Sequence, residues 1–253
     1  MSRLPVLGLV PAAGRASRLG PLPCSKELLP VGFRPSPVGP VLEVACRPLL
    51  ASYSLAGIRQ AIVVLREEKL DIPRYLARHL DLPVELAYVT IESSASVPET
   101  LDRAYPFCRH ARVALGFPDV LFAPEDAYFR LIARQEETGA DVVLGCFPWK
   151  GDPSSTDMVA LEPDGRVARI ETRPRKSELV HNWLLALWGP PFTELLHEAM
   201  RNPPAASGEL QLGALFDRAR EAGLDVRGVT FADGRQIDLG TPEGYARILA
   251  GKR

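Results

Sequence analysis

The sequence contains few cysteines and no long apolar run. Its 253 residues include only four cysteines, and neither a C-x-x-C pair nor a histidine cluster accompanies them. This spacing argues against structural zinc and favours free thiols in a reducing compartment. No apolar stretch is long enough to span a bilayer, and the first residues lack the apolar core and cleavage site of a signal peptide. We therefore expect a cytoplasmic protein.

Neither sign of charge is in excess. Lysine and arginine together number 30 against 31 aspartates and glutamates, for a formal net charge of -1. Such a balance provides no general field for attracting nucleic acid or an anionic membrane, and we expect neither as a partner. Any phosphate must therefore be bound by a local arrangement of groups. We also find no internal repeat, and a chain of this length is expected to form one domain over residues 1–253.

Short apolar runs alternate with helix-like segments through the first half of the chain. The predicted strands cover residues 6–10, 61–65, 84–89, 113–115 and 142–147. The predicted helices cover residues 42–56, 73–79, 98–108 and 124–137, with Gly57 and Gly139 as C-terminal caps. The proline-rich residues 33–40 are predicted to form a surface loop. This alternation indicates a Rossmann-like, mostly parallel sheet flanked by helices.

The second half has a different pattern. Residues 158–161 and 167–171 predict a hairpin around Pro163-Asp164-Gly165, followed by a strand over residues 182–188. Helices are predicted over residues 191–201, from residues 207–209 to Gly223, and over residues 242–250, with a strand at 226–231. We expect this mixed, hairpin-containing half to close one side of a cleft. Ligands of such sheets bind beyond the carboxyl ends of the strands.

A loop of small residues follows the first predicted strand directly. Its members are Ala12, Ala13, Gly14, Arg15, Ala16 and Ser17. Small side chains let the backbone approach a ligand closely, and the free N–H groups can hold phosphate oxygens. Arg18 and Lys26 then supply two spaced cations. The loop is neither a P-loop nor a dinucleotide-binding G-x-G-x-x-G, so a purely structural turn is the alternative to a nucleoside triphosphate site.

Two aspartates stand just beyond predicted strands, among apolar residues. Asp119 follows Gly116-Phe117-Pro118, and Asp238 lies within Gln236-Ile237-Asp238-Leu239. Burying an unpaired carboxylate is costly, so a compensating partner is expected. Two such oxygen ligands, completed by a triphosphate, suit Mg²⁺. The alternatives are a turn aspartate at Asp119 and a helix-initiating role at Asp238, where Thr241 can cap the last helix.

Residues 12–19 together with residues 25–31 resemble the signature of the nucleoside-triphosphate:sugar-1-phosphate nucleotidyltransferases. That signature is A-A-G-x-G-T-R-L followed by P-K-x-L-L-P-V, and the glucose-1-phosphate thymidylyltransferase branch is the most similar. Residues 116–119 resemble the family's G-D metal motif with two residues inserted. Residues 172–174 resemble its E-K-P, residues 208–210 its G-E-L, and residues 237–241 its L-D-T-G-T. The resemblance implies a GT-A-like nucleotidyltransferase fold.

The resemblance also implies a direct displacement at the α-phosphorus of a nucleoside triphosphate, with release of pyrophosphate. Residues 1–150 would form the nucleotide-binding half and residues 151–253 the acceptor-binding half. Arg18 would stabilise the triphosphate and Lys26 the transferring phosphoryl group, while Asp119 and Asp238 would carry Mg²⁺. The nucleotide would lie against Ala12, Ala13, Gly14, Ser17 and Thr100. Relatives often form dimers or tetramers, which makes a homo-oligomer an expectation from the resemblance alone.

Several positions depart from the family pattern. Ala16 replaces the second loop glycine, which makes a positive φ unfavourable there. Thr172 and Arg173 replace the glutamate and lysine of E-K-P, and Trp183 stands where a glycine is expected. Residues 98–101, Pro-Glu-Thr-Leu, replace the P-x-G-L helix start that helps to read the nucleobase in the family, so Thr100 stands in place of its glycine.

The candidate acceptor-binding residues are Arg173, Lys176, Asn182 and Trp183. The expected acceptor is a hexose 1-phosphate, and the expected nucleotide is dTTP or UTP. Two alternatives are left open. An aromatic wall at Trp183 would suit a cytidylyltransferase acting on a smaller acceptor, such as phosphocholine or a phosphonate. The other alternative is a non-catalytic relative that only binds nucleotide.

Overall fold

The computed structural model describes residues 4–37, 39–202 and 210–251. These residues form 13 strands and eight α-helices. The strands are β1 (Val6–Pro11), β2 (Pro30–Arg34), β3 (Val41–Val44), β4 (Gln60–Arg66), β5 (Glu85–Ile91), β6 (Arg112–Leu115), β7 (Val120–Ala123), β8 (Val142–Pro148), β9 (Met158–Leu161), β10 (Val167–Glu171), β11 (His181–Trp188), β12 (Val226–Thr230) and β13 (Arg235–Asp238). The helices are α1 (Arg47–Leu55), α2 (Asp71–His79), α3 (Val97–Asp102), α4 (Tyr105–Cys108), α5 (Ala127–Thr138), α6 (Pro190–Arg201), α7 (Leu212–Glu221) and α8 (Pro242–Leu249).

Nine strands form one sheet that runs through both halves of the chain. At its centre, β6, β1, β4 and β5 lie side by side and parallel. Strand β11 joins the second half by pairing antiparallel with β6 and β8, and β9 pairs with β10 as a hairpin. The predicted Rossmann-like α/β sheet, with a mixed second half, is confirmed. The carboxyl ends of β1, β4, β5 and β6 therefore meet along one edge.

Helices cover both faces of this sheet. The apolar residues of α1, α2 and α5 pack on one face, around the buried Tyr53 and Tyr128. Those of α3, α4, α6 and α7 pack on the other face, around Trp188 and Phe216. A third, smaller cluster that includes Val31 and Ile237 lies where β2, β13 and α8 meet. None of the helices in the described residues is long and apolar enough to cross a membrane.

Some predicted boundaries are wrong for identifiable reasons. The predicted helix over residues 42–56 begins only at Arg47, because Val41–Val44 pairs with Pro30–Arg34 as a two-stranded ladder. The same pairing takes Phe33 and Arg34 out of the predicted loop. The helix predicted over residues 98–108 is two helices, because Pro106 lacks the N–H that a continuing helix requires.

The ladder between β7 and β13 is absent from the sequence prediction altogether. Each strand is four residues long and, among the described residues, pairs only with the other, so neither carries a clear apolar period. The helix predicted over residues 124–137 consequently begins at Ala127, after β7. Gly57 and Gly139 have φ values of 77° and 71°, as expected for caps. The predicted helix start at residues 207–209 and the G-E-L likeness lie outside the described residues.

Candidate active site

A cleft of about 350 Å³ opens at the carboxyl ends of the parallel strands. Its wall is formed by the small-residue loop after β1, the turn before β2, the β5–α3 loop, the start of β7 and the end of β13. Its lining residues include Ala13, Gly14, Arg18, Lys26, Thr100, Asp119 and Asp238. Seven residues predicted from distant parts of the sequence therefore share one cavity. Its volume lies in the range typical of small-molecule sites.

The loop after β1 exposes only part of its backbone to this cleft. The N–H of Ala12 donates to the carbonyl of Val64 at 2.8 Å, and its side chain is buried in the core. The N–H groups of Ala13 and Gly14 have no acceptor within the described ranges. A Cβ placed on Gly14 would lie 3.7 Å from the Lys26 Nζ atom, so the loop passes close above that ammonium. Ala13 and Gly14, rather than Ala12, offer donors to a ligand.

Ala16 adopts the left-handed conformation, with φ 56° and ψ 28°, at the start of the short 3₁₀ turn Ser17–Leu19. An L-residue with a Cβ is strained there, whereas glycine is not. The suspected strain at this position is therefore present in the fold. Ser17 is exposed and does not line the cleft.

We expect the substitution Ala16→Gly to raise the free energy of unfolding by up to about 1 kcal/mol, because relief of left-handed strain outweighs the added entropy of the unfolded chain. Urea unfolding would measure it. Ala133→Gly, in the exposed interior of α5, is the matched control and should lower the stability by about 1 kcal/mol. Equal losses in both variants would show that Ala16 is unstrained.

Lys26 is held at the floor of the cleft by its neighbours. The preceding Ser25 donates its N–H and its hydroxyl to the two carboxylate oxygens of Asp71 in α2, at 2.7 and 2.6 Å. The Lys26 ammonium then donates to Asp119 Oδ2 at 2.5 Å. Burial alone would lower the pKa of Lys26, but the carboxylates of Asp119, Glu27 and Asp238 raise it above its usual value. The side chain is therefore a permanent, positioned cation.

The next residue, Glu27, points away from the cleft into the protein. Its side chain is 1% exposed, and both carboxylate oxygens accept from the Lys69 ammonium, at 2.7 and 2.9 Å. Burial raises the pKa of the Glu27 carboxyl, and Lys69 opposes that rise. This pair was not predicted from the sequence. It ties the Lys26 turn to the segment after β4.

The ladder between β7 and β13 brings the two aspartates together. Val120 pairs with Asp238, and the N–H of Leu239 donates to the carbonyl of Asp119 at 2.8 Å. Asp238 Oδ1 accepts from the Gly240 N–H at 2.7 Å, and Oδ2 accepts from Arg18 at 3.2 Å. Arg18, Lys26, Asp119 and Asp238 thus form one group of opposite charges. Residues separated by more than 200 positions contribute to it.

Glycine at position 240 leaves a space that both carboxylates face. A Cβ placed there would lie 2.8 Å from Arg18 Nη2, 2.9 Å from Asp238 Oδ1 and 3.0 Å from Asp119 Oδ2, so the Arg18 guanidinium borders the same space. Two carboxylates around such a space, next to a cleft open to phosphates, are a donor set that fits Mg²⁺. In the described residues no group of three or more His, Cys, Asp or Glu side chains could hold a metal ion. A metal here would therefore need substrate oxygens to complete its ligands.

The predicted acceptor-binding residues lie outside the wall of this cleft. Trp183 is buried in the core, 5.1 Å from the Phe216 ring, and donates its indole N–H to Asp157 at 3.2 Å. Its ring is not an exposed aromatic wall, so the argument for a compact acceptor loses its basis. Asn182 is also buried and exchanges amide hydrogen bonds with Gln236.

Arg173 and Lys176 are exposed beyond the end of β10. Arg173 has a positive φ of 42°, and its N–H donates to Asp157 at 3.2 Å. Asp157 therefore connects β11 to the turn after β10, because it accepts hydrogen bonds from both Trp183 and Arg173. Burial raises the pKa of the Asp157 carboxyl. Nothing in the sequence pattern marked this aspartate.

Other lining residues were also missed from the sequence. They include Arg15, Arg66, Ser94, Ser96 and Phe117. A signal for Arg66 does exist, because a cation that ends an apolar strand must lie at the ligand-binding edge of a parallel sheet. Thr100, which was predicted, is 4% exposed, and its hydroxyl hydrogen-bonds Ser94 at 2.7 Å.

This α/β fold is similar to that of known sugar nucleotidyltransferases. The chain resembles the sugar-1-phosphate nucleotidyltransferases in particular. It is 24% identical over 225 residues to the glucose-1-phosphate thymidylyltransferase of Streptomyces antibioticus, covering 87% of this chain. The chain spans only 58% of the length of that relative. No family model matches it.

Solved structures show the same fold. A UDP-glucose pyrophosphorylase complexed with UDP-glucose superposes with a TM-score of 0.81, covering 99% of this chain and 100% of the other at 15% identity. A UTP-bound UGPase from Acinetobacter baumannii gives a TM-score of 0.78, covering 98% of this chain and 93% of the other at 17% identity. At these identities the likeness shows the fold, and what the chain binds is a separate question.

Proposed function

We propose that this chain transfers a nucleoside monophosphate from a nucleoside triphosphate to a phosphorylated small molecule and releases pyrophosphate. The observation that supports this most is the convergence of Arg18, Lys26, Asp119 and Asp238 at one cleft. Phosphoryl transfer depends on positioning and charge neutralisation more than on covalent chemistry, and these residues supply both.

A hexose 1-phosphate is the proposed acceptor, and dTTP or UTP the proposed nucleotide. The names of the relatives support this choice, since they are a glucose-1-phosphate thymidylyltransferase and a UDP-glucose pyrophosphorylase. An acceptor phosphate oxygen attacks the α-phosphorus and forms a new P–O bond. The bond to pyrophosphate breaks, and the leaving group takes the electron pair. Pyrophosphate and the nucleotide-sugar are then the only products.

Each charged residue has a role in this reaction. Lys26 holds the α-phosphoryl oxygens as negative charge develops, and Asp119 positions its ammonium. Arg18, whose side chain is 60% exposed, binds the triphosphate and the leaving pyrophosphate. Asp119 and Asp238 are the residues that would hold Mg²⁺. Such an ion, when bound, supplies neutralisation of the phosphate charges.

A pyrophosphate-release screen tests the proposed function. It crosses five nucleoside triphosphates with hexose 1-phosphates, phosphocholine and a phosphonate. Turnover with a hexose 1-phosphate is the expected result. Turnover only with phosphocholine or the phosphonate would replace the acceptor. No turnover with any pair would leave a nucleotide-binding protein without this activity.

Removal of divalent metal with EDTA is expected to abolish turnover, and Mg²⁺ should restore it.

Asp238→Asn keeps an acceptor for the Gly240 N–H but removes the charge, so we expect the Mg²⁺ concentration for half-maximal rate to rise at least about tenfold. Asp233→Asn, on an exposed turn, is the matched control. An unchanged Mg²⁺ dependence in Asp238→Asn would remove Asp238 from the metal site.

A further inference from the structure

Arg66 is a buried cation without a partner in the described ranges. It ends β4, its relative exposure is 7%, and its Nε atom is buried with no hydrogen-bond acceptor. No carboxylate pairs with its guanidinium within the part of the chain that the structure describes. An uncompensated buried charge lowers stability, and such groups are usually paired or bound to a ligand. Arg66 is therefore a candidate ligand-binding group.

The guanidinium lines the candidate active site, on the side away from the two aspartates. Strands β6, β1 and β4 are consecutive neighbours, so the end of β4 lies about 10 Å from the end of β6, which leads to Asp119. Val64, two residues earlier on the same side of β4, packs in the core that also contains Ala13 and Leu101. Arg66 therefore faces the α3 side of the cleft.

On the α3 side, the lining of the cleft consists of uncharged groups. They are Pro11, Ala13, Ser94, Ala95, Ser96, Val97 and Thr100. A polyphosphate tail needs several cations, whereas small apolar and hydroxyl side chains suit a planar ring. Arg66 also lines a neighbouring cleft with Arg15, Lys26 and Lys69, but Glu68 and Asp71 line that cleft too, and Glu27 pairs with Lys69. The lining therefore favours the base end of a nucleotide at Arg66.

We propose that Arg66 determines which nucleobase is accepted, an inference that rests on the proposed function. A guanidinium only donates hydrogen bonds, so it favours a base edge that presents a carbonyl oxygen. Uracil and thymine present a carbonyl at the position where cytosine carries an amino group. An amino group would face the guanidinium donor to donor and leave both without acceptors. Arg66 therefore selects UTP or dTTP over CTP.

The test compares UTP with CTP, which have the same size and the same phosphates. The wild-type protein with Mg²⁺ is expected to prefer UTP in kcat/KM by at least about tenfold, the range of one directional base contact. Arg66→Gln should reduce that preference to less than about threefold, because an amide can donate or accept. Arg66→Lys, which still only donates, should keep part of the preference. Arg59→Gln, exposed at the other end of the same segment, is the control and should leave it unchanged.

Two further measurements separate this proposal from its alternatives. Equal losses for UTP and CTP in Arg66→Gln would place a phosphate at Arg66 and overturn base selection, as would a wild-type preference for CTP. Urea unfolding of the free Arg66→Gln protein should show unchanged or higher stability, whereas a structural role requires a loss. If the wild type turns over no nucleotide, the proposed function fails. Calorimetric binding of UTP and CTP would then still test Arg66.

Discussion

Lys26→Gln is expected to lower kcat for pyrophosphate release by about 10²–10³-fold, which is the usual effect of removing one positioned charge from a transition state. Glutamine can still donate to Asp119, so the cleft should keep its shape while it loses the cation. KM for the nucleotide should change much less, because the contact strengthens as charge develops on the phosphoryl oxygens. Steady-state kinetics with varied nucleotide would measure both constants.

Lys150→Gln provides the matched control, because Lys150 is exposed and does not line the cleft. That variant should retain the wild-type kcat. The raised pKa of Lys26 adds a pH criterion, since the wild-type rate should not fall through loss of this proton below about pH 10. A Lys26→Gln rate within a few fold of wild type would show that Lys26 does not act on the transferring group.

Lys69→Met is expected to have the largest effect on stability, a loss of about 3–5 kcal/mol in the free energy of unfolding. The substitution removes the hydrogen-bonded partner of Glu27 and leaves a carboxylate that is 1% exposed with only the more distant Lys26 charge to balance it. Urea unfolding at pH 8 would measure the loss. The double variant Glu27→Met with Lys69→Met removes both charges and should recover most of the stability. A double variant as unstable as the single one would assign the loss to packing.

The pH dependence of Lys69→Met gives a second criterion. Burial raises the pKa of Glu27 in the folded state above that of the unfolded chain. The carboxyl therefore stays protonated to a higher pH in the folded state than in the unfolded chain. The loss of folding stability caused by its charge develops as pH rises from the unfolded pKa through the folded one. The loss should be smaller at pH 5 than at pH 8. A loss independent of pH would show that Glu27 does not carry the penalty.

The adjacent residues Lys26 and Glu27 show how far local pattern can be read. Both are charged and both belong to one short turn, and the sequence alone marked only Lys26, through its family signature. The opposite directions of the two side chains depend on Asp119 and Lys69, which lie 93 and 42 residues away. Pairings over such separations leave no local period. The same limit applies to Trp183, whose burial depends on Asp157 and Phe216.

The sequence by itself determined the class of fold, because short apolar runs typical of strands alternate with helix-like segments through the parallel core. It also marked Arg18, Lys26, Asp119 and Asp238 as candidate site residues, because small loops and polar residues beyond apolar strands are local signals. Only the tertiary structure decided how these groups meet. The β7–β13 ladder joins two segments with no periodic signal and sets Asp119 beside Asp238, and sheet order places Arg66 in the same cleft. Local propensity does not encode long-range pairing, so the geometry of the cleft follows from the packed sheet.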